Sequence, residues 1–133
     1  MSELSEENIK QILEGFEGEK IIRDYFINKK IHFFQVDLMA KFKNKWNVIE
    51  VKHQEVFEPP PFKGHGLPKW QVEARLQFQE ETGIRALLFI TDKVTNIIYW
   101  QYMDTLISGD KFQTNGAKPR IIFPLESYNI LKL

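Results

Sequence analysis

Residues 35–52, QVDLMAKFKNKWNVIEVK, constrain this chain more than any other stretch. Val36, Leu38, Val48, Ile49 and Val51 supply apolar and β-branched content on either side of Lys43-Asn44-Lys45, the pattern of two strands joined by a tight turn. With the turn centred on Lys43-Asn44, position 37 faces position 50, because residues equidistant from a hairpin centre are cross-strand partners. Side chains alternate along each strand. One face therefore holds Phe33, Gln35, Asp37 and Met39 beside Trp46, Val48, Glu50 and Lys52. The other holds Phe34, Val36, Leu38, Ala40, Ile49 and Val51, and is expected to face the core.

Asp37 and Glu50 are thus opposed carboxylates with an ammonium, Lys52, two residues along on the same side. Like charges directly opposite destabilise a sheet. They are relieved by a proton or a cation placed between them. An oxygen-only ligand set points to Mg²⁺ or Mn²⁺. The same residues also read as a charged patch on an exposed hairpin face.

The chain has 133 residues, enough for one domain over 1–133 with a core of its own. It has no cysteine, which excludes disulfides, thiolate metal sites and cysteine nucleophiles. Its longest apolar run, Ala86-Leu87-Leu88-Phe89-Ile90, has the length of a strand and not of a membrane span. The acidic N-terminus lacks a signal-peptide pattern, so a cytoplasmic location is expected. Net charge is zero but unevenly spread: residues 21–75 hold ten bases against six acids. That excess surrounds the hairpin and allows a local basic surface on a neutral protein.

In chain order, Ser5 reads as the cap of a helix with acids in its first turn. Ile9, Ile12, Leu13, Phe16, Ile22, Tyr25 and Phe26 recur at helical spacing to about residue 28, with breaks conceivable at Gly15 or Gly18. Glu19 stands three residues from both Phe16 and Ile22, on the expected buried stripe, while Glu17 lies nearer its edge. A carboxylate there needs a partner, an ordinary salt bridge among the choices. The first hairpin strand is expected from about Ile31. Residues 54–68 form a proline-rich segment that leaves the Glu50–Lys52 strand and is placed to cover a site there. His65, between two glycines, is either a substrate contact or a solvated loop residue.

The spacing predicts a helix from Lys69 to Thr82, with Val72, Leu76 and Gln79 on one face and Gly83 as its stop. Gln71 and Arg75 form an i, i+4 polar pair. Strands follow over residues 84–90 and 96–102, a short helix from Met103 to Ser108, a loop over 111–119, a strand over 120–123, and a terminal helix or coil.

Helix Glu, then Asp, then Glu-x-Lys, then helix Gln, in the order helix, strand, strand, loop, helix, strand, resembles the PD-(D/E)XK nuclease superfamily and its archaeal Holliday-junction resolvase-like branch. The matching pieces are Gly18-Glu19-Lys20-Ile21-Ile22, Val36-Asp37-Leu38, Ile49-Glu50-Val51-Lys52 and Trp70-Gln71-Val72-Glu73-Ala74. The resemblance implies an α/β, restriction-endonuclease-like mixed sheet flanked by helices, and Mg²⁺-dependent hydrolysis of DNA phosphodiesters. It implies Asp37 and Glu50 as metal ligands, Glu19 as the helix carboxylate completing the metal shell, Lys52 as the catalytic lysine and Gln71 as the helix glutamine. Val36 stands where the pattern has proline, and Arg75 where related nucleases often have tyrosine.

Lys41, Lys43, Lys45, Lys63 and Lys69, with His65, are candidates for holding the DNA backbone, or are ordinary surface. A homodimer would supply a second site for a second strand. Phe57, Phe62, Trp70, Tyr99 and Trp100 either form a contact patch or fill the core. The rival to a nuclease is a catalytically silent DNA-binding or interaction module on the same fold.

Overall fold

Ser5 starts the first element. Its Oγ accepts the Asn8 amide at 3.1 Å, and Glu6 and Glu7 occupy the first turn of α1 (Glu6–Asn28), where the helix dipole favours acids. The helix passes through Gly15 and Gly18 without a break. Each glycine costs about 1 kcal/mol against alanine, which a long cooperative helix absorbs. It ends where Lys30 turns to φ 55° and the Ile31 amide donates to Phe26 O at 2.9 Å.

The structure, a computed structural model, describes residues 5–131 and divides the chain into two compact units, Met1–Phe34 and Gln35–Leu133. In the first unit the chain beyond α1 folds back far enough for the Phe26 and Phe33 rings to lie 5.7 Å apart. Ile9, Leu13, Phe16 and Ile22 are exposed among the described residues. Residues 31–36 form no strand, so the hairpin begins later than the sequence suggests.

The second unit holds both sheets. β1 (Leu38–Phe42) and β2 (Lys45–Gln54) are joined by Lys43 and Asn44, both at positive φ (50° and 65°). That is a two-residue type I′ turn, whose twist matches that of the flanking strands. The register, Leu38 opposite Ile49 through Phe42 opposite Lys45, is the one the turn position predicts. β2 then pairs in parallel with β4 (Arg85–Asp92), which pairs antiparallel with β5 (Ile98–Tyr102), and β5 with β8 (Asn129–Leu131). The result is a mixed five-stranded sheet in the order β1-β2-β4-β5-β8, so the unit is α/β.

The connection from β2 to β4 builds the rest. Residues 64–68, expected in a loop, form β3 (Gly64–Pro68). It pairs with β7 (Arg120–Pro124), beside the short β6 (Phe112–Gln113), in a separate three-stranded sheet. A Cβ on Gly64 or Gly66 would run into the carbonyl oxygens of Phe123 or Ile121, so glycine is required at both. Phe57 and Gly64 exchange backbone hydrogen bonds at 2.8 and 2.9 Å, leaving the prolines at the tip of a closed loop. A loop free to cover the Glu50–Lys52 strand is therefore reduced to residues 58–63.

Helix α2 (Lys69–Thr82) has the predicted bounds and ends at Gly83 in the left-handed region, φ 73°. α3 (Met103–Ser108) also matches. Gln79 ties them to the sheet: its Oε1 accepts the Ala86 amide at 3.1 Å and its Nε2 donates to Asp104 at 2.9 Å. Residues 125–131, expected as helix or coil, form a 3-10 turn (Leu125–Ser127) and β8.

The core of the second unit lies between α2, α3 and one face of the large sheet, where Val48, Ala86, Leu88 and Ile90 are fully buried with Leu67, Met103 and Phe123. This corrects the face assignment of the hairpin. Val48 and Glu50 are buried, while Leu38 and Val51, expected inside, are exposed (55% and 39%); Ile49, also expected inside, is buried, and Met39 and Trp46, on the Val48–Glu50 face, are exposed. α2 decides the matter by crossing over the Glu50 face. Among the described residues no helix is long and apolar enough to cross a membrane.

Candidate active site

Asp37 lies one residue before β1, where the ladder with β2 stops. Its backbone forms no strand, but its side chain continues the pairing: Oδ2 accepts the Val51 amide at 3.0 Å. A backbone donor at the end of a ladder needs a partner, and a carboxylate is a strong one. The ladder stops at Leu38 and Ile49, one position short of the Asp37–Glu50 opposition expected from the turn; Asp37 is exposed, Glu50 is buried, and the two carboxylates lie close enough to influence each other electrostatically.

Glu50 sits in the middle of β2, beside Leu88 of β4. Burial raises its pKa above the usual 4.5, and the neighbouring Asp37 charge pushes the same way. Arg75 and Lys52 pull it back without reversing it. Lys52 Nζ is 3.6 Å from Glu50 Oε1, the same-face i, i+2 contact read from the sequence. Arg75 Nε is 3.5 Å from Oε2, so each oxygen of this buried carboxylate faces a cation.

Arg75 is the residue that sequence reasoning undervalued. The buried positions of α2 are Val72, Arg75 and Phe78, rather than a stripe through Val72, Leu76 and Gln79. The signal was available: Arg75 is three residues from both Val72 and Phe78, so a helix burying those two also buries it. Gln71, one turn earlier, has a buried Oε1 with no hydrogen-bond partner among the described residues.

The other expected residues fall in different places. Glu19 is on α1 in the first unit, exposed, with Arg23 Nη1 at 3.8 Å one turn along. This replaces the buried position that its spacing suggested. Lys41, Lys43 and Lys45 are exposed at the hairpin tip. Lys63 lies 3.3 Å from Glu58 and Lys69 3.7 Å from Glu73. Trp70 is exposed, Phe57, Phe62 and Trp100 are half-buried, and Tyr99 is buried.

His65 needs a correction. It is fully buried, with Nδ1 3.0 Å from Gln54 Oε1 and Nε2 3.1 Å from Asp92 Oδ2. Its backbone oxygen accepts the Tyr128 hydroxyl at 2.7 Å. It joins the two sheets and presents no atom to a substrate. Gly64 and Gly66, on either side of it in β3, let β7 come close and so enclose it.

Among the described residues no three His, Asp or Glu side chains are grouped to hold a metal ion. Asp37 and Glu50 alone are nevertheless a sufficient donor set for Mg²⁺, which is commonly held by one or two carboxylates with water and substrate oxygens completing the shell. The donors fit in hardness and number. Glu50 can serve only by giving up part of its contact with Arg75 or Lys52. No protein-family model, no curated protein and no solved structure matches this chain.

Proposed function

We propose that this chain is a Mg²⁺-dependent endodeoxyribonuclease of the PD-(D/E)XK type on a restriction-endonuclease-like fold, acting on branched DNA as a homodimer. The observation that supports it most is the Asp37–Glu50 pair on adjoining chain segments, with Lys52 3.6 Å from Glu50. The Val51 amide asks only for an acceptor oxygen, not for a charge, and a buried carboxylate near a second one is locally unfavourable; residues that violate local stability are expected where chemistry is done.

In this reading Asp37 and Glu50 hold the ion. When bound, Mg²⁺ polarises a non-bridging phosphate oxygen and lowers the pKa of a water. Lys52, half-buried beside Glu50, orients the attacking water and offsets charge developing on the phosphate. Asp37 is fixed for its task by the Val51 amide. Gln71, with its unengaged oxygen, and Glu19 are the further acidic or amide groups assigned to the site by the resemblance. Lys41, Lys43 and Lys45 hold the DNA backbone. One such site cuts one strand, and a two-fold dimer supplies the other.

The rival, a catalytically silent binding module, takes its support from Arg75, which already neutralises Glu50. Incubation of supercoiled plasmid, four-way junction, flap, linear duplex and single strand with Mg²⁺ or Mn²⁺ decides between them. Metal-dependent nicking lost in Glu50→Ala supports the nuclease. Binding without cleavage under every condition supports the silent module. Equal cleavage of junction and linear duplex refutes the branched preference, and a 15.8 kDa particle by light scattering, with and without DNA, refutes the dimer.

A further inference from the structure

The carboxylate pair does not account for Arg75. Its side chain is only 8% exposed. Nη2 donates to the carbonyl of Gln35, two residues before Asp37, while Nε lies beside Glu50. One guanidinium therefore touches the chain segment of one carboxylate and the side chain of the other. Yet among the described residues Nε and Nη1 have no hydrogen-bond partner, and neither does Gln71 Oε1 one turn back on the same helix. Leaving buried donors unsatisfied is unfavourable, and an apolar residue between Val72 and Phe78 would pack at lower cost. Packing does not explain an arginine at this position.

We propose that Arg75 is the resident counter-cation of the Asp37–Glu50 pair: it stands against Glu50 Oε2 when no divalent ion is bound and yields that oxygen when one arrives. This rests on the metal reading above. Two carboxylates without a cation repel each other. Lys52 compensates only in part, since its side chain is 28% exposed and correspondingly screened. An arginine keeps its charge at any working pH, so it serves as a permanent substitute. The orphaned acceptor on Gln71 gives the guanidinium somewhere to turn, because positions four apart on a helix adjoin. It follows that the metal-free protein is not dependent on metal for its fold, and that the ion binds against the opposition of a fixed positive charge.

The test is Mn²⁺ binding by calorimetry, with thermal melting with and without Mn²⁺, on the whole chain without DNA. Arg75→Gln is expected to bind Mn²⁺ on the order of tenfold more tightly than wild type, since a nearby like charge is gone. Its metal-free Tm should fall and Mn²⁺ should raise it by more than it raises the wild type. Arg75→Lys, which keeps the charge, should bind Mn²⁺ as wild type does. If Arg75→Gln folds only with Mn²⁺, the exchange is supported. Equal or weaker binding by Arg75→Gln, with stability lost equally in both conditions, overturns it and leaves Arg75 a structural residue. Should Arg75→Gln fold in neither condition, Arg75→Lys decides: wild-type affinity supports the exchange, and a tenfold change overturns it. A wild type that binds no Mn²⁺ overturns the metal reading itself, an outcome distinct from one in which both proteins bind alike.

Discussion

The Asp37 carboxylate accepts the Val51 amide at 3.0 Å, taking the place of the backbone partner that β1 no longer provides. One oxygen thus serves the sheet while the charge of the group acts on Glu50. The two roles separate by substitution. Asp37→Asn keeps an oxygen for the Val51 amide and loses the charge. It should retain near-wild-type stability and lose about 100-fold or more in cleavage. Asp37→Ala should lose the same activity and, in addition, about 1 kcal/mol in urea unfolding. Activity preserved in Asp37→Asn would remove this residue from the site.

Glu50 gives a pH prediction with a definite sign. Its folded pKa lies above the ordinary 4.5, chiefly through burial and next through Asp37. Between those two pH values the native state holds a proton that the unfolded state has released. Its contribution to stability is therefore present below the unfolded pKa and lost as pH rises through the folded one. Glu50→Gln, which mimics the protonated form, should flatten this part of the stability profile and be no less stable than wild type at neutral pH, while cleaving nothing. Urea midpoints measured from about pH 4 to pH 8 check it. A variant markedly less stable at neutral pH would mean that the pairing with Arg75 outweighs the burial of the charge.

Lys52 is not a ligand in this arrangement. Lys52→Ala should bind Mn²⁺ within a few-fold of wild type and lose about 100-fold or more in turnover, the loss expected when one stabilising charge is removed from a transition state. Calorimetry without DNA and single-turnover cleavage with it separate the two. Lost metal affinity with unchanged turnover of the loaded enzyme would invert the assignment.

His65 should affect stability and not substrate handling. His65→Leu leaves Gln54 and Asp92 without their shared partner in the interior, at a cost of about 3 kcal/mol. The fraction that remains folded should cleave with wild-type KM and kcat. A raised KM with unchanged stability would restore the substrate contact that the Gly64-His65-Gly66 sequence suggested.

Much of this was legible in the sequence where local chemistry is decisive. Lys43-Asn44 can adopt the positive φ that a tight hairpin needs, so the register from Leu38–Ile49 to Phe42–Lys45 followed from two residues. Ser5 and Gly83 likewise set helix ends. What failed depended on distant contacts. Which hairpin face turns inward is decided by the side on which α2 crosses, and nothing in residues 35–52 encodes that. Gly64 and Gly66 looked like loop residues because their partner is β7, some sixty residues away. Arg75 looked like a departure from a pattern because its counterpart, Glu50, lies on a strand before the crossover.

On the proposed nuclease reading, the lysines offer a graded test of the DNA path. Lys43 and Lys45 sit at and beside the turn of the hairpin whose other end holds Asp37 and Glu50, and both are exposed. Lys63 and Lys69 are each within 4 Å of a carboxylate, Glu58 and Glu73, which takes up part of their charge. A phosphate contact made by a free lysine releases a counterion and lowers the slope of log affinity against log salt by about one when it is removed. Lys43→Gln and Lys45→Gln should each weaken binding to a junction or duplex at low salt and reduce that slope by about one. Lys63→Gln and Lys69→Gln should change it less. Titrations at three or four salt concentrations, with Mg²⁺ replaced by Ca²⁺ to prevent cleavage, give the slopes directly. Equal slopes for wild type and both hairpin variants would remove the hairpin tip from the DNA path, and a larger change at Lys63 or Lys69 would move that path to the start of α2.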